Sequence, residues 1–250
     1  MRLAPESPVA GAVVPSPNHG ARTGRRPDML ILHYTGMENA VAALRRLSDP
    51  LAEVSAHYFV FEDGRVVQMV PEGRRAWHAG LACWAGERDV NSRSLGVEIA
   101  HPGHAGGLPP YPDAQIDAVV ALCRDLLARH AIPPERVLAH SDVAPERKED
   151  PGERFPWARL AAEGIGHYVA PAPAGDGRFL APGDAGQPVE ALQAMFAVYG
   201  YDQPVTGLYD ARTQAVVTAF QRHFRPARID GIADASTIKT LRDLIATLPA

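Results

Sequence analysis

Met29-Leu30-Ile31-Leu32-His33-Tyr34 sets four apolar residues in an unbroken run that ends on a histidine. Such a run, short and without helical spacing, reads as a buried strand at Met29 to His33. Downstream, Phe59-Val60-Phe61 and Val66-Val67 flank Asp63-Gly64, a tight-turn signal, so Val54 to Val70 reads as a hairpin. Leu95 to Ala100 and Val137 to His140 read as further strands, the last ending on a second histidine. Between them, Val41, Leu44 and Leu47 give helical spacing over Ala40 to Leu47, ending before Pro50. The longest predicted helix starts at Asp113 as its cap, follows Ile116, Val119, Val120, Cys123, Leu126 and Leu127 along one apolar face, and stops at Pro133-Pro134. Alternating strands and helices predict an α/β fold with a central mixed sheet covered by helices.

At 250 residues the chain exceeds the roughly 100 to 200 residues of one domain, which predicts two units. Composition shifts at Ala170 to Gly186, where Pro171, Pro173, Gly175, Gly177, Pro182, Gly183 and Gly186 crowd a segment with little periodicity. After it, Val189, Leu192, Phe196 and Tyr199 fit one helix, Val216, Val217, Phe220 and Phe224 a second, and Ile238, Leu241, Ile245 and Leu248 a third. The expected division is a larger first part at 1–170, a linker at 171–186 and a small three-helix domain at 187–250.

With 46% apolar and 22% charged residues and a net charge of −4, the chain has the balance of an ordinary globular protein. It lacks a basic block or aromatic-basic interleaving, so nucleic acid is not an expected partner, and a neutral or zwitterionic substrate fits better. Cys83 and Cys123 are too few for a disulfide framework, and Cys123 falls on the apolar stripe of the long helix. Met1 to Asp28 is rich in proline and polar groups, without the roughly 7- to 15-residue apolar core of a secretory signal, so a cytoplasmic location is expected. A run of about 18 apolar residues is also missing, so no membrane span is expected.

His33, His140 and Asp150 supply zinc ligands of two chemical types, and three protein ligands leave the fourth position open for catalysis. Glu98, inside Leu95-Gly96-Val97-Glu98-Ile99, is a carboxylate between apolar neighbours; its protonated form is favoured and its basicity raised, which suits a general base. Lys148 stands two residues before Asp150, which precedes Pro151; in an extended segment both would face the same way, with the ammonium placed to stabilise an oxyanion. Plainer readings stand beside these. A histidine ending an apolar run can be packed structure, Glu98 can pair with an arginine, and Lys148 lies in the charged run Glu146-Arg147-Lys148-Glu149-Asp150, which suits a solvated loop. His101 and His104 make a His-x-x-His pair, but Pro102 and Gly103 argue for a loop and against ligation.

In these residues the chain resembles the zinc N-acetylmuramoyl-L-alanine amidases of the AmpD/AmiD type over about Pro15 to Leu160. The matching blocks, in order, are Ile31-Leu32-His33-Tyr34-Thr35, Val54-Ser55-Ala56-His57-Tyr58, Ala76-Trp77-His78-Ala79-Gly80, Asn91 to Glu98, and His140-Ser141-Asp142-Val143-Ala144-Pro145 through Lys148-Glu149-Asp150-Pro151-Gly152. The resemblance implies zinc on His33, His140 and Asp150, Glu98 as base, Lys148 as oxyanion stabiliser, and hydrolysis of the amide between muramic acid (or its 1,6-anhydro form) and L-alanine in peptidoglycan or muropeptides. It also implies substrate contacts from Tyr34, Trp77, His78 and Asn91, although Trp77 equally suits a core aromatic with His78 as its hydrogen-bonded neighbour. His57 is expected to support the site and not to bind metal.

The tail resembles a three-helix peptidoglycan-binding domain at Gly207-Leu208-Tyr209-Asp210, Thr213, Ala215-Val216, Ala219-Phe220-Gln221 and Asp230-Gly231-Ile232-Ala233. The alternative is a helical bundle that caps the first domain, with Asp230-Gly231 only a turn. As a binding module it would raise local substrate concentration, and the first domain would still cut alone. Such a module points to the envelope, against the cytoplasmic expectation drawn from the N-terminal segment. Two rivals to the amidase are a muropeptide-binding or sensing protein that does not cut, and a zinc peptidase acting between stem amino acids.

Overall fold

Alternation along Met29–Tyr34 decides how the molecule is layered: Leu30 and Leu32 point to one face of a sheet, and Met29, Ile31 and His33 to the other. The computed structural model describes residues 4–24, 26–173, 177 and 179–249. In chain order its strands are β1 (Ala12–Val13), β2 (His19–Ala21), β3 (Met29–Tyr34), β4 (Tyr58–Val60), β5 (Val66–Gln68), β6 (Arg74–Ala76), β7 (Ser94–Ile99) and β8 (Val137–Ala139). The α-helices are α1 (Ala40–Ser48), α2 (Val90–Arg93), α3 (Asp113–His130), α4 (His140–Val143), α5 (Trp157–Ala162), α6 (Gln187–Tyr199), α7 (Ala211–Phe224) and α8 (Ala235–Ala246).

Six strands form one sheet in the order β1-β5-β4-β7-β3-β8. β4 and β5 are antiparallel, while β4, β7, β3 and β8 run parallel, so the sheet is mixed as expected. β2 and β6 pair separately. The hairpin turns at Gly64, whose φ of +84° and 2.7 Å approach of a built Cβ to the Ala114 carbonyl both demand glycine.

Two expected details differ. Asp113 is the first residue of α3 and not its cap; Pro112 holds the extended cap position, and its carbonyl accepts from Ile116 at 3.1 Å. β8 ends at Ala139, and His140 opens α4 instead of closing the strand, because the Asp142 carboxylate accepts the Ala139 N–H at 2.8 Å and turns the chain.

One face of the sheet packs Leu30, Leu32, Leu95, Val97 and Ile99 against the Ile116, Val119, Cys123 and Leu126 stripe of α3. The other face is shared: Phe59 and Val67 lie under Ala43 and Leu47 of α1, whereas Met29, Ile31 and Leu138 join one apolar cluster with Val189, Phe196, Val216 and Phe220 of the C-terminal helices. Those helices therefore pack into the sheet's second face as well as against each other. In the expected linker, Ala174, Gly175, Asp176 and Arg178 lie outside the described residues, and Leu180 bonds both ways with Ala233 of the helical region, at 3.0 and 2.9 Å. Among the described residues no helix is long and apolar enough to cross a membrane.

Candidate metal centre and its cleft

Parallel strands β3, β7 and β8 end side by side, and an open α/β sheet binds its ligand at such carboxyl ends. His33 sits at the end of β3, Glu98 lies opposite it in register on β7, and His140 follows β8 directly. Asp150 returns from the loop after α4, its backbone carbonyl accepting the Ser141 N–H at 3.0 Å.

His33 Nδ1, His140 Nδ1 and Asp150 Oδ2 form a triangle with sides of 2.9, 3.0 and 3.0 Å. All three residues are buried. Their outer bonds fix the tautomers. His140 Nε2 faces only the Ala79 carbonyl, at 3.1 Å, so Nε2 carries the proton and Nδ1 is bare. For His33 the assignment runs through a chain: Ser94 Oγ donates to the Val90 carbonyl at 2.6 Å, leaving it to accept from His78 Nε2 at 3.1 Å, and His78 Nδ1 then accepts from His33 Nε2 at 3.0 Å. His33 Nδ1 is bare as well. Burial, reinforced by the neighbouring His140, lowers the His33 pKa to about 4 despite Asp150 nearby. Burial by itself would raise Asp150, yet the two imidazoles hold it well below the usual carboxylate range. Three lone pairs thus converge with no proton between them, which is repulsive until a cation occupies the centre. Two imidazole nitrogens and one carboxylate oxygen at these separations suit a tetrahedral ion with bonds of roughly 2.0 to 2.2 Å.

Beside the triangle opens a cleft of about 430 Å³ whose walls include Tyr34, Trp77, Glu98 and Lys148. Glu98 keeps partial exposure as a residue, but its Oε2 is sealed from solvent and has no hydrogen-bond partner. Burial, then the Asp150 charge, pushes its carboxyl well above the usual range, with Lys148 partly offsetting. Lys148 lines the same cleft, but not through the extended run expected: Asp150 lies in a turn with a cis bond to Pro151, and the Lys148 N–H bonds back to Ala144 at 3.0 Å. The Tyr34 hydroxyl is 2.9 Å from His104 Nδ1, and burial raises its pKa to about 12.

The expected substrate contacts divide. Tyr34 and Trp77 line the cleft. His78 reaches its edge but is buried, with both ring nitrogens engaged by His33 and Ser94. Asn91 is not among the residues lining the cleft; its Oδ1 accepts from the His78 and Ala79 N–H groups at 3.1 and 2.8 Å, which supports that loop. His57 is fully buried and clear of the triangle, with Nδ1 accepting from the Gly96 N–H at 2.9 Å. His101 stacks on Tyr111 with centroids 4.1 Å apart and lies outside the His33, His140 and Asp150 group found among the described residues.

Ser94 and Gly96 were not singled out from the sequence. A Cβ at Gly96 would stand 2.5 Å from the His78 ring, so this glycine lets the imidazole lie against β7. An isolated glycine inside a strand pattern is the signal that could have found this close approach.

The family described as N-acetylmuramoyl-L-alanine amidase matches residues 23–153, and the peptidoglycan binding domain family matches residues 185–241. N-acetylmuramoyl-L-alanine amidase AmiD of Escherichia coli K12 is 38% identical over 226 residues, covering 85% of this chain and 80% of the relative. The 1,6-anhydro-N-acetylmuramyl-L-alanine amidase AmpD of Enterobacter cloacae is 35% identical over 167 residues, covering 60% and 87%. The solved complex of the E. coli AmiD with anhydro-N-acetylmuramic acid-L-Ala-D-gamma-Glu-L-Lys superposes with a TM-score of 0.76 at 36% identity, covering 90% of each chain.

Proposed function

Because this chain belongs to the N-acetylmuramoyl-L-alanine amidase family, we propose that it hydrolyses the muramoyl–L-alanine amide of muropeptides, the anhydro form included, with zinc on His33, His140 and Asp150. The observation that carries the metal is the triangle of two imidazole nitrogens and one carboxylate oxygen at 2.9 to 3.0 Å. The substrate class is supported by the anhydromuropeptide named in the complex of the similar AmiD. The division into a catalytic part at 1–170, a linker at 171–186 and a helical domain at 187–250 accompanies this reading.

Zinc held by His33, His140 and Asp150 would supply Lewis acidity toward the amide carbonyl and the attacking water. Glu98 takes the proton from the attacking water at its unpartnered Oε2 and returns it to the leaving nitrogen of L-alanine. A raised carboxyl pKa suits both halves of that transfer, since the group must gain a proton as readily as lose one. Lys148 has no ion-pair or hydrogen-bond partner for its ammonium among the described residues, which frees it to donate to the carbonyl oxygen as negative charge develops. Tyr34 and Trp77 contact the sugar or peptide from the cleft walls.

The test incubates soluble anhydromuropeptide with the purified chain, with and without a chelator, and identifies products by mass. Free stem peptide beginning with L-alanine, lost with chelator and restored by zinc, is expected. Intact substrate in the zinc-loaded protein would point to a sensor, and a cut inside the stem to a peptidase; either sinks the proposal.

A further inference from the structure

We propose that the C-terminal helical region braces the metal-ligand segment, with Tyr201 and His223 acting through Asp142 as positioning residues for His140. The inference rests on the assignment of His33, His140 and Asp150 as metal ligands.

Asp142 has 0% exposure and sits two residues after His140 in α4. Its carboxylate gathers hydrogen bonds from three parts of the chain. Tyr201 Oη donates to Oδ1 at 2.8 Å, His223 Nδ1 meets Oδ2 at 2.7 Å, and the Ala139 N–H reaches Oδ2 at 2.8 Å. The first two come from the C-terminal region; the third starts the helix that opens with His140. The His223 ring lies between Trp157 and Phe224, with centroids 3.7 and 3.8 Å away, so it has little freedom.

Further ties fall on the same segment. Arg222 Nη2 donates to Glu149 Oε1 at 2.7 Å, one residue before Asp150. The Ala85 N–H bonds to the Gly200 carbonyl at 2.7 Å, and the Cys83 N–H to the Val143 carbonyl at 2.8 Å. These last two anchor the loop that begins at Ala79, whose carbonyl orients His140, the Cys83 bond from α4 and the Ala85 bond from the C-terminal region. Ligand and orienting carbonyl are therefore both held from the C-terminal side. A module serving only to tether the enzyme to its polymer needs none of this.

The test measures zinc affinity by chelator competition on the 250-residue chain carrying Tyr201→Phe, His223→Gln or Arg222→Gln, with circular dichroism confirming native folding. Lys239→Gln, on the exposed side of α8, is the control. Because supports beyond the direct ligands cost about tenfold or more in metal affinity, a loss of about three- to thirtyfold is expected for Tyr201→Phe and His223→Gln. Hydrolysis of soluble anhydromuropeptide should fall at limiting zinc and recover at excess zinc, a rescue that general structural damage would not show. Should His223→Gln fail to fold, Tyr201→Phe, which deletes one oxygen atom, carries the measurement. Folded variants with the parent's zinc affinity would overturn the brace alone; a parent that binds no zinc would overturn the ligand assignment and the brace with it.

Discussion

His33 Nε2 and His78 Nδ1 lie 3.0 Å apart, and that single bond determines which nitrogen of His33 faces the metal position. Replacing His78 with phenylalanine removes the acceptor and frees the His33 ring to change tautomer. Zinc affinity is expected to fall about 10- to 100-fold, with a smaller loss for Ser94→Ala. Chelator competition measures both; an unchanged constant in a folded His78→Phe protein would show that the bond is incidental.

Gly96 makes that arrangement possible. In Gly96→Ala the new Cβ meets the His78 ring 2.5 to 2.7 Å away, closer than any real contact, so the ring must leave β7. The expected cost is about 1 to 3 kcal/mol of stability, as for other overpacked sites, together with weakened zinc binding. Urea denaturation checks the first and chelator competition the second.

Glu98→Gln separates function from stability. Turnover should drop by about 10²- to 10⁴-fold with zinc retained, since a general base is lost and no ligand is. In the metal-free protein the same change should become more stabilising as pH rises above the unfolded carboxylate range. The folded-state pKa of Glu98 is raised above its unfolded value by burial and by Asp150, so its favourable contribution holds at low pH and is lost as pH rises through the folded pKa. Thermal melts with chelator should show Glu98→Gln gaining on the parent from pH 4 to pH 8; a parent that gains on the variant over that range would contradict this.

Lys148→Met keeps the length of the side chain and deletes its charge. If the ammonium serves the oxyanion, kcat should fall by about 10²- to 10³-fold with KM little changed. Steady-state kinetics on a soluble muropeptide decide it, and a rise confined to KM would reassign Lys148 to ground-state binding.

Away from the cleft, buried Glu72 accepts from Arg129 at 2.6 Å, from His130 at 2.7 Å and from the Tyr58 hydroxyl. Burial would raise its pKa, but these donors hold it well below the usual carboxylate range. A depressed folded pKa contributes stability above the unfolded value of about 4.3 and loses it as pH falls. Glu72→Gln should therefore cost about 2 kcal/mol at pH 7, discounted for the partial exposure of Arg129, and progressively less toward pH 2. Denaturant titrations at both ends of that range test the sign.

The sequence by itself determined the strand at Met29 to His33, the stripe of α3 from Ile116 to Leu126, the three C-terminal helices, and the residue types able to hold a metal. These follow from periodicity and side-chain chemistry, which are local. The sequence also grouped His33, His140 and Asp150 as one ligand set, but the approach of His33 to His140 across 107 residues and to Asp150 across 117 was decided by the tertiary structure, because parallel register and the turn after β8 set those distances. The tertiary structure also engaged both ring nitrogens of His78 with His33 and Ser94, set the Asn91 side chain against the backbone of His78 and Ala79, and joined Asp142 to Tyr201 and His223. A hydrogen bond between distant residues depends on how sheet and helices pack, and packing leaves no period in the chain from which its partners can be read.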